Sequence, residues 1–270
     1  LIEWAQRLSA NTLWVFAALV AILSIAETVA PWRQLRLSTP RRWFSHLGLY
    51  LIGLGLFRLA HLLPIAMASE RQGATGLLSR PEIPWIVSFV ATLLILDFVR
   101  YVNHRAQHAF GWLWRLHLVH HSDHDFDFTN DLRFHPLDTA MQVAAATVVV
   151  WFFAPPALAV VVDRLLAMIV GMIAHMNVEL PSWLERPLRL VFITPQIHRI
   201  HHSIDDPDQG RNLGTVFVCW DRLFGTYLDT PLRGHSEVEF GVREVNAEES
   251  LRPGHLLLAP FRDYSGDRPR

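Results

Sequence analysis

Residues 97–135 read DFVRYVNHRAQHAFGWLWRLHLVHHSDHDFDFTNDLRFH and hold seven of the chain's fifteen histidines. His104 and His108 are spaced i, i+4, and His117, His120 and His121 are spaced i, i+3, i+4. On helices each set projects its imidazoles from one face. The HxxHH spacing returns at His198, His201 and His202, in PQIHRIHHS. Three boxes therefore present eight imidazoles, more than one ion can use. Imidazole suits iron, zinc, copper and nickel. The pattern predicts a polyhistidine dimetal site on helices.

Outward from that stretch the chain is apolar: 51% of its 270 residues are hydrophobic and only 18% are charged. Such a balance points to a membrane protein. A formal net charge of -1 leaves no basic footprint, so no nucleic-acid partner is expected. The single cysteine, Cys219, excludes an internal disulfide framework and a thiolate-rich metal site.

Leu13 to Ala30 is nearly continuous apolar sequence ended by Pro31, and it reads as a retained membrane anchor. The following loop carries Arg33, Arg36, Arg41 and Arg42 without an acidic residue, which marks a cytoplasmic segment. A second span is predicted over Leu47–Leu63, interrupted by Arg58 and His61 and stopped by Pro64. A loop of balanced charge follows over Ala66–Pro84, and a third span over Trp85–Val102. The apolar run from Thr139 to Met176, broken by Pro155 and Pro156, reads either as a helical hairpin or as one crossing followed by an interfacial helix. The hairpin is preferred, because only an even number of crossings brings His198 back to the other boxes. His175, at the returning end in AHMN, then becomes a further ligand candidate.

The expected architecture is all-α: a membrane helical bundle of about four to five spans or half-spans, with a cytoplasmic helical cap carrying the dimetal site. Residues 1–96 supply the N-terminal membrane helices. Residues 97–230 form the histidine-box domain, with its hairpin at about 139–176, and residues 231–270 form a C-terminal tail. The run NLGTVFVCWDRLFGTYLD reads as a short strand or an interfacial segment over the metal domain. Asp97 lies on the helical stripe of Tyr101, His104 and His108, about 10 Å below His104. Two roles stand open for it: orienting a ligand imidazole, or pairing with Arg100 or a backbone group.

Taken together, DFVRYVNHRAQH, LWRLHLVHHS, RFHP, AHMN, TPQIHRIHHS, the NLG at Asn212–Gly214 and WDRLFGT at Trp220–Thr226 resemble the fatty acid hydroxylase/sterol desaturase superfamily of integral-membrane enzymes. The resemblance implies two iron ions, O2 as co-substrate, and oxidation of an unactivated C–H bond in a lipid such as a sterol or fatty acyl chain. It places His104, His108, His117, His120, His121, His198, His201 and His202 in the boxes. His175 matches the additional histidine, and His135 matches a recurrent position of unsettled role. Asp123, Asp125 and Asp127 are expected to balance the site from behind. No CxxCH, HPGG or GxGxxG occurs, so a separate electron donor is expected, cytochrome b5-like or a ferredoxin/reductase pair. Two other classes compete: a membrane-bound zinc hydrolase and a non-catalytic metal-binding membrane protein. Zinc hydrolysis needs about three protein ligands per ion, often with a carboxylate, whereas roughly eight to ten histidines converge here.

Overall fold

Apolar runs bounded by proline and polar loops become the long helices of a computed structural model. It describes residues 2–70 and 76–264, with the side chains of residues 2–6, 9, 57, 58, 60 and 61 outside the described set. The helices are α1 (Ile2–Val29), α2 (Thr39–Glu70), α3 (Trp85–Ala109), α4 (Gly111–His121), α5 (Pro136–Phe153), α6 (Ala157–Ala174), α7 (Ser182–Leu188), α8 (Pro195–His201), α9 (Asp206–Gln209) and α10 (Cys219–Phe224). Short turns of helix follow at Ala247–Ser250 and Pro253–Leu258. Only isolated β-bridges occur among the described residues, so the protein is all-α. The run after Asn212, expected as a strand or interfacial segment, forms an extended turn leading into α10.

Among the described residues, four helical segments are long and apolar enough to cross a membrane: Ala10–Val29, Trp85–Ala109, Pro136–Phe153 and Ala157–Ala174. Leu13, Trp14, Ile22 and Ile25 on α1, with Val148, Trp151 and Phe152 on α5, are all more than half exposed. Such side chains suit hydrocarbon, and a helix satisfies its own backbone there.

The apolar run from Thr139 to Met176 is broken into two helices at its prolines. α5 ends at Ala154, held in the left-handed region at φ 45° and ψ 59°, and α6 begins directly after Pro156. Gly76 seats against this tip, where a Cβ would lie only 2.4 Å from that of Ala154. α2 departs from expectation by running through Pro64 to Glu70. An interior proline costs a helix roughly 3 kcal/mol. Here α2 packs along α5, and Ala68 is buried with Ala146, Val149 and Val150, so tertiary packing carries the last turns past the proline. The expected loop therefore begins later than Ala66, and it includes residues 71–75, which lie outside the described residues. The side chains of Arg58 and His61, expected to interrupt this span, lie outside them as well.

At the histidine end of the bundle the connections interlock. Glu27 at the end of α1 accepts hydrogen bonds from the Phe128 and Asn177 amides, at 2.9 and 2.8 Å. Asp125 accepts from the Arg36 and Leu37 amides, at 2.8 and 2.6 Å. These bonds place the arginine-bearing loop and the loop after α4 at one end of the bundle. The C-terminal tail packs there too: Leu256 and Ala259 are buried against Leu49, Trp114, Leu118 and Val119.

Candidate metal centre

His104 and His108 sit on the last turns of α3, His117, His120 and His121 on α4, and His198 and His201 on α8. His202 and His175 cap the C-termini of α8 and α6. Pro195 at the first helical position starts α8 directly before its box.

These nine imidazoles divide into two groups that cut across the boxes. Ring nitrogens of His104, His108, His117, His121 and His201 all lie within 4.8 Å of one another, and so do those of His120, His175, His198 and His202. Helix geometry explains the division. Residues i and i+4 are about 40° apart around the axis, while i+3 falls on the other side of i by about 60°. His117 and His121 thus turn to one group and His120 to the other. On α8 the assignment reverses, with His198 and His202 in the second group and His201 in the first.

Backbone and carboxylate acceptors fix the rings from behind. His104 Nδ1 lies 2.8 Å from the Leu213 carbonyl, His201 Nδ1 3.0 Å from that of Arg211, and His175 Nδ1 2.7 Å from that of Gly171. His117 Nδ1 lies 3.1 Å from Asp138 Oδ2. Donation from Nδ1 leaves the Nε2 lone pair free for a cation. The inward nitrogens fit that role: His104, His117 and His201 Nε2 and both nitrogens of His121 are buried without a hydrogen-bond partner. In the second group His175 Nε2 faces the Nε2 atoms of His120, His202 and His198, at 3.3, 3.1 and 3.0 Å. One N–H···N bond cannot satisfy three such approaches. Four nitrogens about 2.1 Å from a tetrahedral ion would lie roughly 3.4 Å apart, close to the spacing found. Burial, reinforced by neighbouring imidazoles, pushes His120, His121, His198, His201 and His202 far below the ordinary histidine range, and burial holds His175 at about 4. The rings are therefore neutral at physiological pH, the form that ligates metals.

Several expected roles change. His135 belongs to neither group: its Nδ1 caps the Leu137 amide at the start of α5, and its Nε2 lies 3.2 Å from the Leu257 carbonyl. With both ring nitrogens committed, it has no lone pair to offer. Asp97 touches no imidazole. It accepts from the Val216 and Phe217 amides at 3.2 and 3.1 Å and from the Trp220 indole at 2.9 Å, with Arg100 at 3.4 Å. The backbone and Arg100 alternative is the one realised. Asp97 reaches the site through that loop, in which Asp221 accepts from the Leu213 and Gly214 amides and Leu213 in turn holds His104.

Asp123 and Asp127 also turn away from the centre, because buried Arg42 lies 2.7 Å from Asp123 and 2.5 Å from Asp127. Arg42, counted above among the loop arginines that mark sidedness, is consumed in this brace, whose guanidinium holds the Asp123 carboxyl well below the usual range against the opposing effect of burial. His46 joins the brace with Nδ1 2.7 Å from Thr129 Oγ1 and Nε2 2.9 Å from Asp123. Its spacing in the sequence did not single it out. Asp138 was likewise missed, although it also accepts from Gln107 at 2.6 Å and Gln142 at 3.0 Å, as was Asp131 beside His175. A cleft opens onto both groups, lined by His104, His117, His120, His175 and His198 together with Arg100, Asn103, Gln107, Asp131, Phe134 and Gln142.

The sequence profile of the fatty acid hydroxylase family matches residues 89–226, which include all nine converging histidines. An ornithine lipid hydroxylase of Rhizobium tropici is 28% identical over 246 residues, covering 87% of this chain and 73% of that protein. Alkylglycerol monooxygenases of Caenorhabditis elegans and Homo sapiens are 34% and 26% identical, each over 151 residues. The matched segments span 28% and 31% of those two proteins. No solved structure matches the chain.

Proposed function

We propose that this chain, which belongs to the fatty acid hydroxylase family, hydroxylates an unactivated C–H bond of a membrane lipid at a di-iron centre. The observation that carries the proposal is the convergence of nine imidazoles into two groups, with the Nε2 atoms of His104, His117, His121 and His201 lacking a hydrogen-bond partner among the described residues. His104, His108, His117, His121 and His201 would hold one iron, and His120, His175, His198 and His202 the other. When bound, the iron pair supplies O2 activation. One oxygen atom enters the C–H bond and the other leaves as water, with two electrons from a separate donor and two protons.

The chain's own groups orient and exclude. Asp138 and the Leu213, Arg211 and Gly171 carbonyls lock the ring tautomers. Phe134 stacks on His120 at the cleft wall, with ring centroids 4.4 Å apart, and keeps bulk water from that face. The names of the relatives support a lipid substrate and oxygen insertion.

Turnover of membrane lipids by the iron-loaded protein under 18O2 tests this reading. The product is expected to carry one labelled oxygen per turnover and the protein two irons; hydrolysis products without label would sink it in favour of zinc chemistry. We place the histidine end on the cytoplasmic side. Cysteine labelling should then find positions 36 and 208 on the same, cytoplasmic face, and labelling from opposite faces would refute the hairpin topology.

A further inference from the structure

The link between α7 and α8 and the turn into α10 lie along the flank of the bundle. The Ile193 amide donates to the Val216 carbonyl and the Val218 amide to that of Val191, both at 3.0 Å, so the two segments are tied together. They pack on two long apolar helices at once. On α6, Val170 and Ala174 are buried with Ile193, Val216 and Val218. On α3, Trp220 packs against Phe98, and Phe224 stacks on Phe98 and Tyr101 with ring centroids 5.9 and 5.5 Å apart. Tyr101 lies about 12 Å before the end of α3 at Ala109, and Val170 about 6 Å before the end of α6 at Ala174. A bilayer core takes about 20 residues of helix. These last turns therefore stand where hydrocarbon gives way to head groups, and the segments packed on them stand at the same level.

Their outward face is apolar. Leu190 and Leu223 are 63% and 68% exposed, and Trp183 on α7 is 76% exposed. Tryptophan and leucine suit the boundary between chains and head groups. Arg105, Arg186 and Arg222 are exposed around this face, and among the described residues none of them pairs with a carboxylate. Arg186 follows Trp183 by three residues and shares its side of α7. The Arg105 guanidinium lies 6.0 Å from the Phe224 ring centre, and that of Arg222 lies 5.1 Å from the Tyr227 ring centre. Arg189 is different, because Glu185 and Asp229 neutralise it.

We propose that this flank is seated in the leaflet at the histidine end, and that Arg105, Arg186 and Arg222 select anionic phospholipid head groups there. The inference rests on α3 and α6 crossing the bilayer and not on any reaction. Apolar side chains ringed by unpaired arginines are what an in-plane element presents to an anionic surface. A second copy of this chain fits the face poorly, since a two-fold contact would bring like charges together.

Cys219, the one cysteine, is exposed on α10 and reports on the seating directly. The full chain is labelled there with an environment-sensitive fluorophore, reconstituted in phosphatidylcholine vesicles holding a minor share of phosphatidylglycerol, and washed with alkali to leave only bilayer-spanning protein. Nitroxide lipids tagged just below the head group are expected to quench the probe strongly and aqueous iodide weakly. Tagged phosphatidylglycerol should be preferred over tagged phosphatidylcholine by about fivefold or more, the effect of roughly one arginine at an anionic surface. Replacing Arg105, Arg186 and Arg222 together by glutamine should remove the preference, and replacing them by lysine should keep it. Arg41→Gln, whose arginine is paired with Glu248, should leave it unchanged. Quenching by iodide alone would put the face in water, and shielding from both quenchers would put a protein against it; either overturns the proposal. Equal response to the two tagged lipids, or a preference that survives the triple glutamine variant, overturns it as well.

Discussion

Two buried polar clusters lie side by side at one end of the bundle, and they are built on opposite principles. In the brace around Arg42, every charge meets its complement: Asp123, Asp127, His46 and Asn130 surround a fully buried guanidinium. In the histidine centre nine imidazoles converge, and several of their inward nitrogens meet nothing or only each other. The brace takes Asp123, Asp127 and Asn130 from the chain directly after α4, the helix that carries three of the nine rings. Buried polar atoms are almost always satisfied, so a satisfied cluster marks a structural fastening and a dense unsatisfied one marks a place for a ligand. The contrast separates the two without reference to any relative.

The largest effect that tests this contrast is expected from the ligands themselves. His120→Ala and His201→Ala, one from each group, should each abolish O2-dependent turnover and lower bound iron, read by elemental analysis of the purified protein. Full activity in either variant would break the distinction between the clusters. Next comes the brace, where removing one partner from a buried ion pair typically costs about 3–5 kcal/mol. Arg42→Ala should lose stability of that order in chemical unfolding, while whatever folds keeps its iron. Iron loss without destabilisation would mean that the brace serves the metals directly.

Asp97→Asn sharpens the boundary, because Asp97 acts on His104 through a loop rather than by contact. Losing an interaction that positions a ligand typically costs 10- to 100-fold in activity or metal affinity. Slower turnover with iron largely retained is the expected result. Complete iron loss would argue for direct ligation, and unchanged turnover would reduce Asp97 to a partner of Arg100. The smallest effect belongs to His135, whose bonds are to the α5 cap and the C-terminal tail. His135→Ala should cost about 1 kcal/mol, as for loss of a helix cap, and leave the iron content unaltered; a drop in iron would return it to the ligand set.

Most of the candidate site was legible because ligand spacing is a local property. Histidines three and four residues apart must share a helical face, so DFVRYVNHRAQH, LWRLHLVHHS and PQIHRIHHS declared themselves before any fold was known. The long apolar runs and the Pro155–Pro156 break were legible for the same reason, since span length and helix interruption are written in consecutive residues. RFHP stayed open because a histidine directly before proline is also a good helix cap, and sequence does not tell an imidazole that caps from one that ligates.

What only the tertiary structure decided is long-range. The division of each HxxHH box between two groups depends on how α4 and α8 face each other across the bundle. Asp97 holds residues 216–220, more than a hundred positions away, and Arg42 finds Asp123 and Asp127 at separations of 81 and 85. α2 passes through Pro64 because packing along α5 outweighs a local rule. Sequence by itself determined which residues could bind metal and which segments could span a bilayer. Which polar groups were consumed by the fold, and which were left facing an open cleft, followed from partners that meet only when the chain is packed.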